Sequence, residues 1–277
     1  MRRASGAGSA SVGLTLVAVS VLIVAGCSDI ATDPRRSASD SATESTSGAD
    51  LRGSITVSGA TSLTGAFTRI AGDFEAAHPG VEVALNFGAS SALATQILGG
   101  VPADVYASAD ELSMAELTDE SLIVGQPEIF ATNELVIVTK PGNPQGIERL
   151  ADLADAGVVA LCGEHVPCGR YAAEALARSG VVIEESAVTR AENVGATLTA
   201  VAEGDAVAAV VYVTDATSAG DAVEVVAIPS ERNVVAAYPI AVLRSSHNTE
   251  VAEAFMAHVL SDEGQAVLAE HGFLPPT

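Results

Sequence analysis

The 277-residue chain has no tryptophan, and aromatic residues of all kinds make up only 4% of it. Basic residues are also scarce, since 13 Lys and Arg stand against 35 Asp and Glu and give a formal net charge of −22. A nucleic-acid-binding protein needs a basic surface to meet phosphates, so we expect no nucleic-acid partner. Hydrophobic residues nevertheless make up 48% of the chain, which excludes an acidic disordered polymer. With so few aromatic side chains, the core is predicted to consist of Ala, Val, Leu and Ile.

The first 26 residues have the features of an export signal. Arg2 and Arg3 precede an apolar run over residues 12–25, and small residues lead to Cys27. A basic start and an apolar stretch of this length are typical of a secretory signal rather than of a membrane-spanning helix. Residues 22–27 read LIVAGC and resemble the bacterial lipobox, which implies cleavage before Cys27 and acylation of its sulfur. The alternative is an ordinary secretory signal with an incidental cysteine.

Residues 27–53 are dominated by Ser, Thr, Ala and Asp and show no hydrophobic periodicity. Such a segment cannot bury enough apolar surface to fold, so we predict a disordered tether. With Cys27 acylated, the protein is expected to be exported and anchored to the outer face of the cytoplasmic membrane, where two acyl chains give stable attachment.

The remaining chain is predicted to alternate between strands and helices. Leu63, Phe67, Ile70 and Phe74 recur at spacings of four, three and four, which predicts an amphipathic helix over residues 63–76. Further helices are predicted at 91–98, 110–117, 148–155, 170–178, 196–203, 249–259 and 262–270. Strands are predicted at 55–58, 81–87, 104–108, 134–139, 157–161 and 208–212, and residues 234–243 form a long apolar stretch. This order predicts an α/β fold with mainly parallel sheets, and the length favours two lobes.

Two turns between a strand and a helix carry hydroxyl side chains. They read SGATSL at residues 58–63 and FGASS at residues 87–91. In open α/β sheets, ligands bind where strands end and helices begin, and a helix N-terminus attracts an anion. The hydroxyl groups of Ser62 and Ser90 would add donors. The alternative for each serine is a simple helix N-cap, but two such turns together favour a shared anion site.

Several motifs together resemble the molybdate-binding protein of bacterial molybdate ABC importers, a solute-binding lipoprotein. They are ITVSGATSLTGAF at 55–67, FGASSALATQI at 87–97, GVPADVYASAD at 100–110, EHVPCGRYA at 164–172, ENV at 192–194, VYVTDA at 211–216 and YPIAV at 238–242. The resemblance extends over roughly residues 54–277. It implies the type II periplasmic-binding-protein fold, with two lobes joined by two hinge crossings near 133–136 and 236–238. Lobe I would comprise residues 54–133 plus 238–277, and lobe II residues 134–237.

The resemblance also implies a function and a set of ligand donors. It implies capture of molybdate, and of tungstate, without any further cofactor, and delivery to the membrane permease of an ABC importer. By position, the donors would be the hydroxyl groups of Ser62 and Ser90 in one lobe, and in the other the backbone N–H groups of Cys168 and Val194 and the hydroxyl of Tyr212. We expect a monomer with no bound metal cation. An alternative ligand is another tetrahedral oxyanion, sulfate or phosphate.

An enzyme is the alternative from a different class, in the form of a secreted Ser-dependent hydrolase. Neither Ser62 nor Ser90 lies in a Gly-x-Ser-x-Gly elbow, and the sequence has no Walker loop or dinucleotide fingerprint. Asp104 and Asp110 could imitate a catalytic carboxylate pair, but they fit better at a strand end and a helix cap. We therefore expect no catalytic activity.

Cys168 departs from the family pattern, in which alanine is common at the matching position. Cys162 lies six residues earlier, and exported chains usually oxidise such pairs. We therefore expect a Cys162–Cys168 disulfide that fixes the turn presenting the Cys168 N–H group. Free thiols are one alternative, and a zinc site formed by Cys162, His165 and Cys168 is another.

Overall fold

A computed structural model describes residues 51–276, and these residues alternate between strands and helices as predicted. The strands are β1 (Gly53–Ala60), β2 (Val81–Gly88), β3 (Val105–Ala107), β4 (Glu128–Thr139), β5 (Val159–Cys162), β6 (Val188–Ala191), β7 (Ala208–Tyr212), β8 (Glu224–Ala227) and β9 (Val235–Val242). The α-helices are α1 (Thr64–Ala77), α2 (Ser90–Leu98), α3 (Glu111–Asp119), α4 (Pro167–Arg178), α5 (Val194–Ala202), α6 (Val213–Ala219), α7 (Thr249–Leu260) and α8 (Asp262–Glu270). Short 3₁₀ turns lie at Thr61–Leu63, Leu150–Asp155, Glu185–Ala187 and Gly220–Ala222.

Some elements differ from the sequence prediction. The segment predicted as a helix over 148–155 is a 3₁₀ turn, and β4 begins at Glu128, six residues before its predicted start. Strands β6 and β8 and helix α6 were not predicted. The two strands span four residues each, and all of these residues are exposed or only partly buried, so they lack the buried apolar run that marks a strand.

The strands form two groups that share β4. The N-terminal sheet has the order β2-β1-β3-β9-β4, and the central sheet contains β4, β7, β5 and β6 in that order, with β8 also paired to β4. β4 pairs with β9 up to Glu134 and with β7 from Leu135 onward. The predicted α/β class is confirmed, but the sheets are mixed rather than mainly parallel. Every pairing that involves β4 or β9 is antiparallel, and the remaining pairings are parallel.

The predicted lobe boundaries fall where β4 changes partners. Residues 133 and 134 of β4 pair with residues 236 and 235 of β9, so the two predicted crossings lie side by side. The division into lobes 54–133 plus 238–277 and 134–237 stays a prediction, since the described residues belong to one compact unit.

The N-terminal segments lie almost wholly outside the described residues. This applies to the predicted signal peptide over 1–26, to the acylated Cys27 and to the tether up to residue 50. The tether was predicted to extend to residue 53, but Gly53 already belongs to β1, and its N–H group donates to the carbonyl of Gly80 at 2.9 Å. In the described part of the chain, no helix combines the length and the apolar character that a membrane crossing requires.

Aromatic side chains contribute more to the core than the sequence suggested. Eight of the ten are buried, namely Phe67, Phe74, Tyr106, Phe130, Tyr212, Tyr238, Phe255 and Phe273. The ring of Phe67 on α1 lies 5.6 Å from that of Phe130 on β4 and 6.2 Å from that of Phe255 on α7. Phe130 in turn contacts Tyr238 on β9 at 6.3 Å. The scarce aromatic residues therefore pack α1 and α7 against β4 and β9.

We predict that Phe67→Ala lowers the free energy of unfolding by about 3–5 kcal/mol, because it leaves a cavity beside the rings of Phe130 and Phe255. Urea unfolding measures this change. Leu112→Ala is the control, since Leu112 is 56% exposed, and its effect should stay within about 0.5 kcal/mol. Equal effects of the two substitutions would contradict this description of the core.

Candidate functional site

All five residues that the sequence assigned to an anion site line one small cavity. Ser62, Ser90, Cys168, Val194 and Tyr212 come from turns that are far apart in the sequence. The remaining lining residues are Ala60, Thr61, Gly88, Ala89, Ala109, Val166, Pro167 and Asn193. The cavity has a volume of about 20 Å³, in a measure by which one water needs roughly 10–15 Å³. It therefore suits a compact ligand of a few atoms and excludes a sugar or a peptide.

Three α-helices begin at this cavity. Ser90 is the first residue of α2, Pro167 the first of α4 and Val194 the first of α5. The first N–H groups of a helix have no partner within the helix, and the helix dipole places positive potential there. Since proline has no N–H, the first N–H group of α4 is that of Cys168. The N–H groups of Cys168 and Val194 are thus available to a ligand in the cavity.

A hydrogen bond from the backbone orients the hydroxyl of Ser90 and leaves its proton available to a ligand. Ser90 is only 1% exposed, and its Oγ accepts a hydrogen bond from the N–H of Ala109 at 3.0 Å. The N-cap of α2 is Ala89, so Ser90 does not cap this helix. Because the oxygen already accepts, the O–H of Ser90 is left to donate into the cavity.

Ser62 lies at the end of a chain of polar groups that begins on β4. The amide of Asn133 donates to Tyr238 Oη at 3.4 Å, and Tyr238 Oη lies 2.9 Å from Ser62 Oγ. Burial raises the pKa of Tyr238, so the phenol keeps its proton and can donate it to Ser62. Ser62 is then an acceptor toward Tyr238 and a donor toward the cavity. It is no helix cap either, since α1 has Leu63 at that position.

Two buried hydroxyl groups at the cavity lack any hydrogen-bond partner among the described residues. They are Oη of Tyr212 and Oγ1 of Thr61. Tyr212 is 1% exposed, and burial raises its pKa well above the usual value, so it is a protonated donor. A buried donor without a partner is costly in a folded protein. A ligand with acceptor atoms in this cavity would satisfy both groups.

Within residues 51–276, no charged side chain lines the cavity. The nearby carboxyl group of Asp215 on α6 is buried and accepts a hydrogen bond from the N–H of Tyr212 at 3.2 Å. Burial raises the pKa of Asp215 to about 7, so at neutral pH a large fraction of this group is uncharged. The electrostatics of the cavity are therefore set by N–H and O–H dipoles.

The predicted disulfide between Cys162 and Cys168 is present. It joins the last residue of β5 to the second residue of α4, next to the cavity. The zinc alternative fails, because the disulfide removes both thiolates that would bind the metal. Close packing supports the same turn, since a Cβ on Gly169 would lie 2.0 Å from the carbonyl oxygen of Gly163. The position of the Cys168 N–H group is thus fixed by a covalent bond and by a glycine contact.

The groups that a hydrolase would need are not assembled. No histidine in the described part of the chain lines the cavity, so neither serine has an imidazole base there. Asp104 and Asp110 have the structural roles expected for them. Asp104 accepts hydrogen bonds from the N–H of Thr56 at 2.7 Å and from Ser246 Oγ at 2.7 Å, and Asp110 caps α3.

Sequence reasoning missed three residues of this site. Thr61 could have been found, because it precedes Ser62 in the same turn. Tyr238 and Asn133 could not have been found in this way. Tyr238 contacts Ser62 across 176 residues of sequence, and Asn133 contacts Tyr238 across 105. Only the folded arrangement brings the two crossing strands under the Ser62 turn.

Known proteins resemble this chain in sequence and in structure. A family model described as a bacterial extracellular solute-binding protein matches residues 55–274. The molybdate-binding protein ModA of Mycobacterium tuberculosis (strain H37Rv) is 38% identical over 270 residues, which cover 96% of this chain and 99% of that protein.

Two solved structures show the fold. The periplasmic molybdate-binding protein of Azotobacter vinelandii aligns with a TM-score of 0.72 at 22% identity, over 80% of this chain and 100% of that one. The sulfate-binding protein SubI of M. tuberculosis aligns with a TM-score of 0.72 at 21% identity, over 80% of this chain and 86% of that one. The predicted periplasmic-binding-protein fold is confirmed. At these identities, the two structures do not separate one ligand from another.

We predict that the double substitution Cys162→Ala with Cys168→Ala loosens the turn at the start of α4. The loss of so short a cross-link should lower the free energy of unfolding by about 2 kcal/mol. Amide exchange should become faster over residues 163–170 and stay unchanged at the start of α5. Hydrogen-exchange mass spectrometry measures both segments. Unchanged protection of residues 163–170 would mean that the disulfide does not position the turn.

Asp215 should make the stability depend on pH. Burial raises its pKa from the usual 3.8 to about 7 in the folded chain, so between these pH values the folded state holds a proton that the unfolded state releases. The free energy of unfolding should therefore fall as pH rises through this window, by up to ~1.4 kcal/mol per pH unit.

Urea unfolding of the wild type and of Asp215→Asn at pH 5 and pH 8 isolates this contribution. The stability of the wild type relative to the variant should fall from pH 5 to pH 8. Asp221→Asn, at an exposed aspartate that follows α6, is the control. A difference between wild type and Asp215→Asn that is the same at both pH values would show that burial does not raise this pKa.

Proposed function

Because this chain belongs to the family of bacterial extracellular solute-binding proteins, we propose that it captures molybdate, and also tungstate, and delivers it to the membrane permease of an ABC importer. One observation carries the proposal. Hydroxyl and N–H donors that have no other use for their protons converge on a cavity without charged side chains. The 38% identity to a molybdate-binding protein along almost the whole chain supports the choice of ligand.

The donor set matches the needs of a small dianion. The hydroxyl groups of Ser62, Ser90 and Tyr212 and the N–H groups of Cys168 and Val194 would donate to its four oxygens. Thr61 Oγ1 supplies a further buried donor. Each charge-assisted hydrogen bond contributes roughly 1.5–3 kcal/mol net, so about half a dozen of them can replace a buried Arg or Lys.

The same donor set explains which anions would be rejected. Phosphate carries a proton near neutral pH, and that proton needs an acceptor that a wall of donors does not offer. Sulfate is fully deprotonated but smaller, so rejection of sulfate depends on a closed cavity that cannot shrink onto shorter bonds. Because a sulfate-binding protein has the same fold, the selection of molybdate over sulfate must come from the size and donors of the cavity.

Binding without catalysis is part of the proposal. The hydrolase alternative requires a base beside Ser62 or Ser90, but the groups bonded to these two oxygens are the phenol of Tyr238 and the backbone N–H of Ala109. We further propose that the mature protein is a monomer held at the outer face of the cytoplasmic membrane by acylated Cys27. The sequence of residues 1–27 supports this attachment, and mass spectrometry of the membrane-extracted protein would test it.

Isothermal titration calorimetry with molybdate, tungstate, sulfate and phosphate tests the ligand. Molybdate and tungstate should each give heat with a 1:1 stoichiometry, phosphate should give none, and sulfate should bind far more weakly. The absence of heat with molybdate would overturn the proposal. Tighter binding of sulfate than of molybdate would favour the alternative oxyanion.

The donors are tested one at a time. Ser62→Ala and Ser90→Ala should each weaken molybdate binding by about 1–3 kcal/mol, because each removes a buried donor. Tyr238→Phe should also weaken binding, since Ser62 then loses the group that orients its hydroxyl. Ser186→Ala, at an exposed position, is the control. If both serine variants bind as tightly as the control, the ligand lies elsewhere.

A further inference from the structure

Beside the cavity, an ion pair joins the two sheets. The guanidinium of Arg170 on α4 donates to Asp110 Oδ2 through Nε at 3.0 Å and also through Nη2, and Nη2 donates to Ser113 Oγ at 3.1 Å. The side chain of Asp110 is 5% exposed and that of Arg170 is 26% exposed. A third donor of Arg170, Nη1, bonds the carbonyl of His165 and so holds the guanidinium to its own turn.

Each partner is attached to a turn that lines the cavity. Asp110 follows Ala109, whose N–H holds the hydroxyl of Ser90, and it caps α3 beside the N-terminal sheet. Arg170 lies two residues after Cys168 on α4, which packs against β5 and β7 of the central sheet. The ion pair therefore links the turn that holds the Ser90 hydroxyl through Ala109 to the turn that carries the Cys168 donor.

Five other ion pairs among the described residues each stay within one side of the molecule. They join neighbours on one helix or turn, or residues around a single sheet end: Arg69–Asp73, Arg149–Asp152, Arg178–Glu174, Arg190–Glu164 and Arg190–Glu185. Such exposed or local pairs contribute little. The Arg170–Asp110 pair differs from them because it spans 60 residues of sequence and is largely shielded from solvent.

We propose that the Arg170–Asp110 ion pair is a latch that holds the cavity closed and sets the rate of oxyanion release. This inference rests on the proposed function, since it concerns the same cavity. In a protein that closes around its ligand, a contact made only in the closed state shifts the population toward that state. The pair joins the Ala109–Asp110 turn to the start of α4, so separation of these two turns would break it and would move the Ser90 and Cys168 donors apart. Opening would leave Asp110 without its main cationic partner.

Release kinetics test the latch directly. Dissociation of molybdate from the mature chain can be followed by stopped-flow tyrosine fluorescence, since the chain has no tryptophan. Tyr212 lines the cavity, and the rings of Tyr171 and Tyr238 lie 6.5 and 5.9 Å from its ring. Arg170→Gln and Asp110→Asn should each speed release by about 10-fold or more with little change in the association rate. Asparagine still caps α3, so Asp110→Asn removes the charge and keeps the cap.

Two further variants separate the loss of this ion pair from effects of net charge and of substitution elsewhere in the chain. The double variant Arg170→Gln with Asp110→Asn should release molybdate no faster than the faster single variant, because both substitutions break the same contact. Arg69→Gln removes one positive charge, as Arg170→Gln does, but at an ion pair within α1. It should leave the release rate at the wild-type value. Release rates of all variants within twofold of the wild type would overturn the latch while leaving the proposed function intact.

The latch can also be tested in the ligand-free protein, which matters if the wild type binds no molybdate. The proposed function would then fail, and the latch would be judged by small-angle X-ray scattering of the ligand-free chain. Arg170→Gln should have a larger radius of gyration than the wild type, with Arg69→Gln as the control. Equal radii in the three proteins would overturn the latch as well.

Discussion

A buried dianion with no cationic side chain in contact can be held only by hydrogen-bond donors whose protons are not already bonded within the protein. The structure around the cavity follows from this constraint. A serine hydroxyl both donates and accepts, so its accepting side must be occupied from within the protein. Ala109 does this for Ser90 through its N–H group, and Tyr238 does it for Ser62 through its phenol. The phenol of Tyr212 keeps its proton because burial raises its pKa, and it has no hydrogen-bond partner among the described residues, so it can donate into the cavity. The cavity thus presents donors to a ligand that has only acceptors.

The same constraint accounts for the charges. A net charge of −22 would oppose any anion attracted through the surface field, yet the cavity is lined by dipoles at the starts of α2, α4 and α5. Burial favours the protonated form of Asp215, which limits the negative charge next to Tyr212. Short-range donors therefore determine affinity, whereas the acidic surface can only slow the approach of an anion.

The sequence alone predicted those parts of the site that lie within one short turn. The turn that carries Ser62 and the turn that carries Ser90 each combine glycine, hydroxyl residues and the start of an amphipathic helix, so the sequence alone pointed to both. Cys168, Val194 and Tyr212 came from the family resemblance, and the structure places them at the same cavity. Tyr238 was out of reach, because it meets Ser62 only in the folded sheet, where β9 lies next to β3 and β3 next to β1. Likewise β6 and β8 were missed, since four-residue strands with exposed side chains have no pattern to read.

Crystals grown with molybdate and measured at the molybdenum absorption edge would test the central claim most directly. The account predicts one anomalous peak inside the cavity, with oxygen atoms at hydrogen-bond distance from Ser62 Oγ, Ser90 Oγ and Tyr212 Oη and no cationic side chain in contact. A peak beside a surface arginine, with the cavity empty, would contradict it.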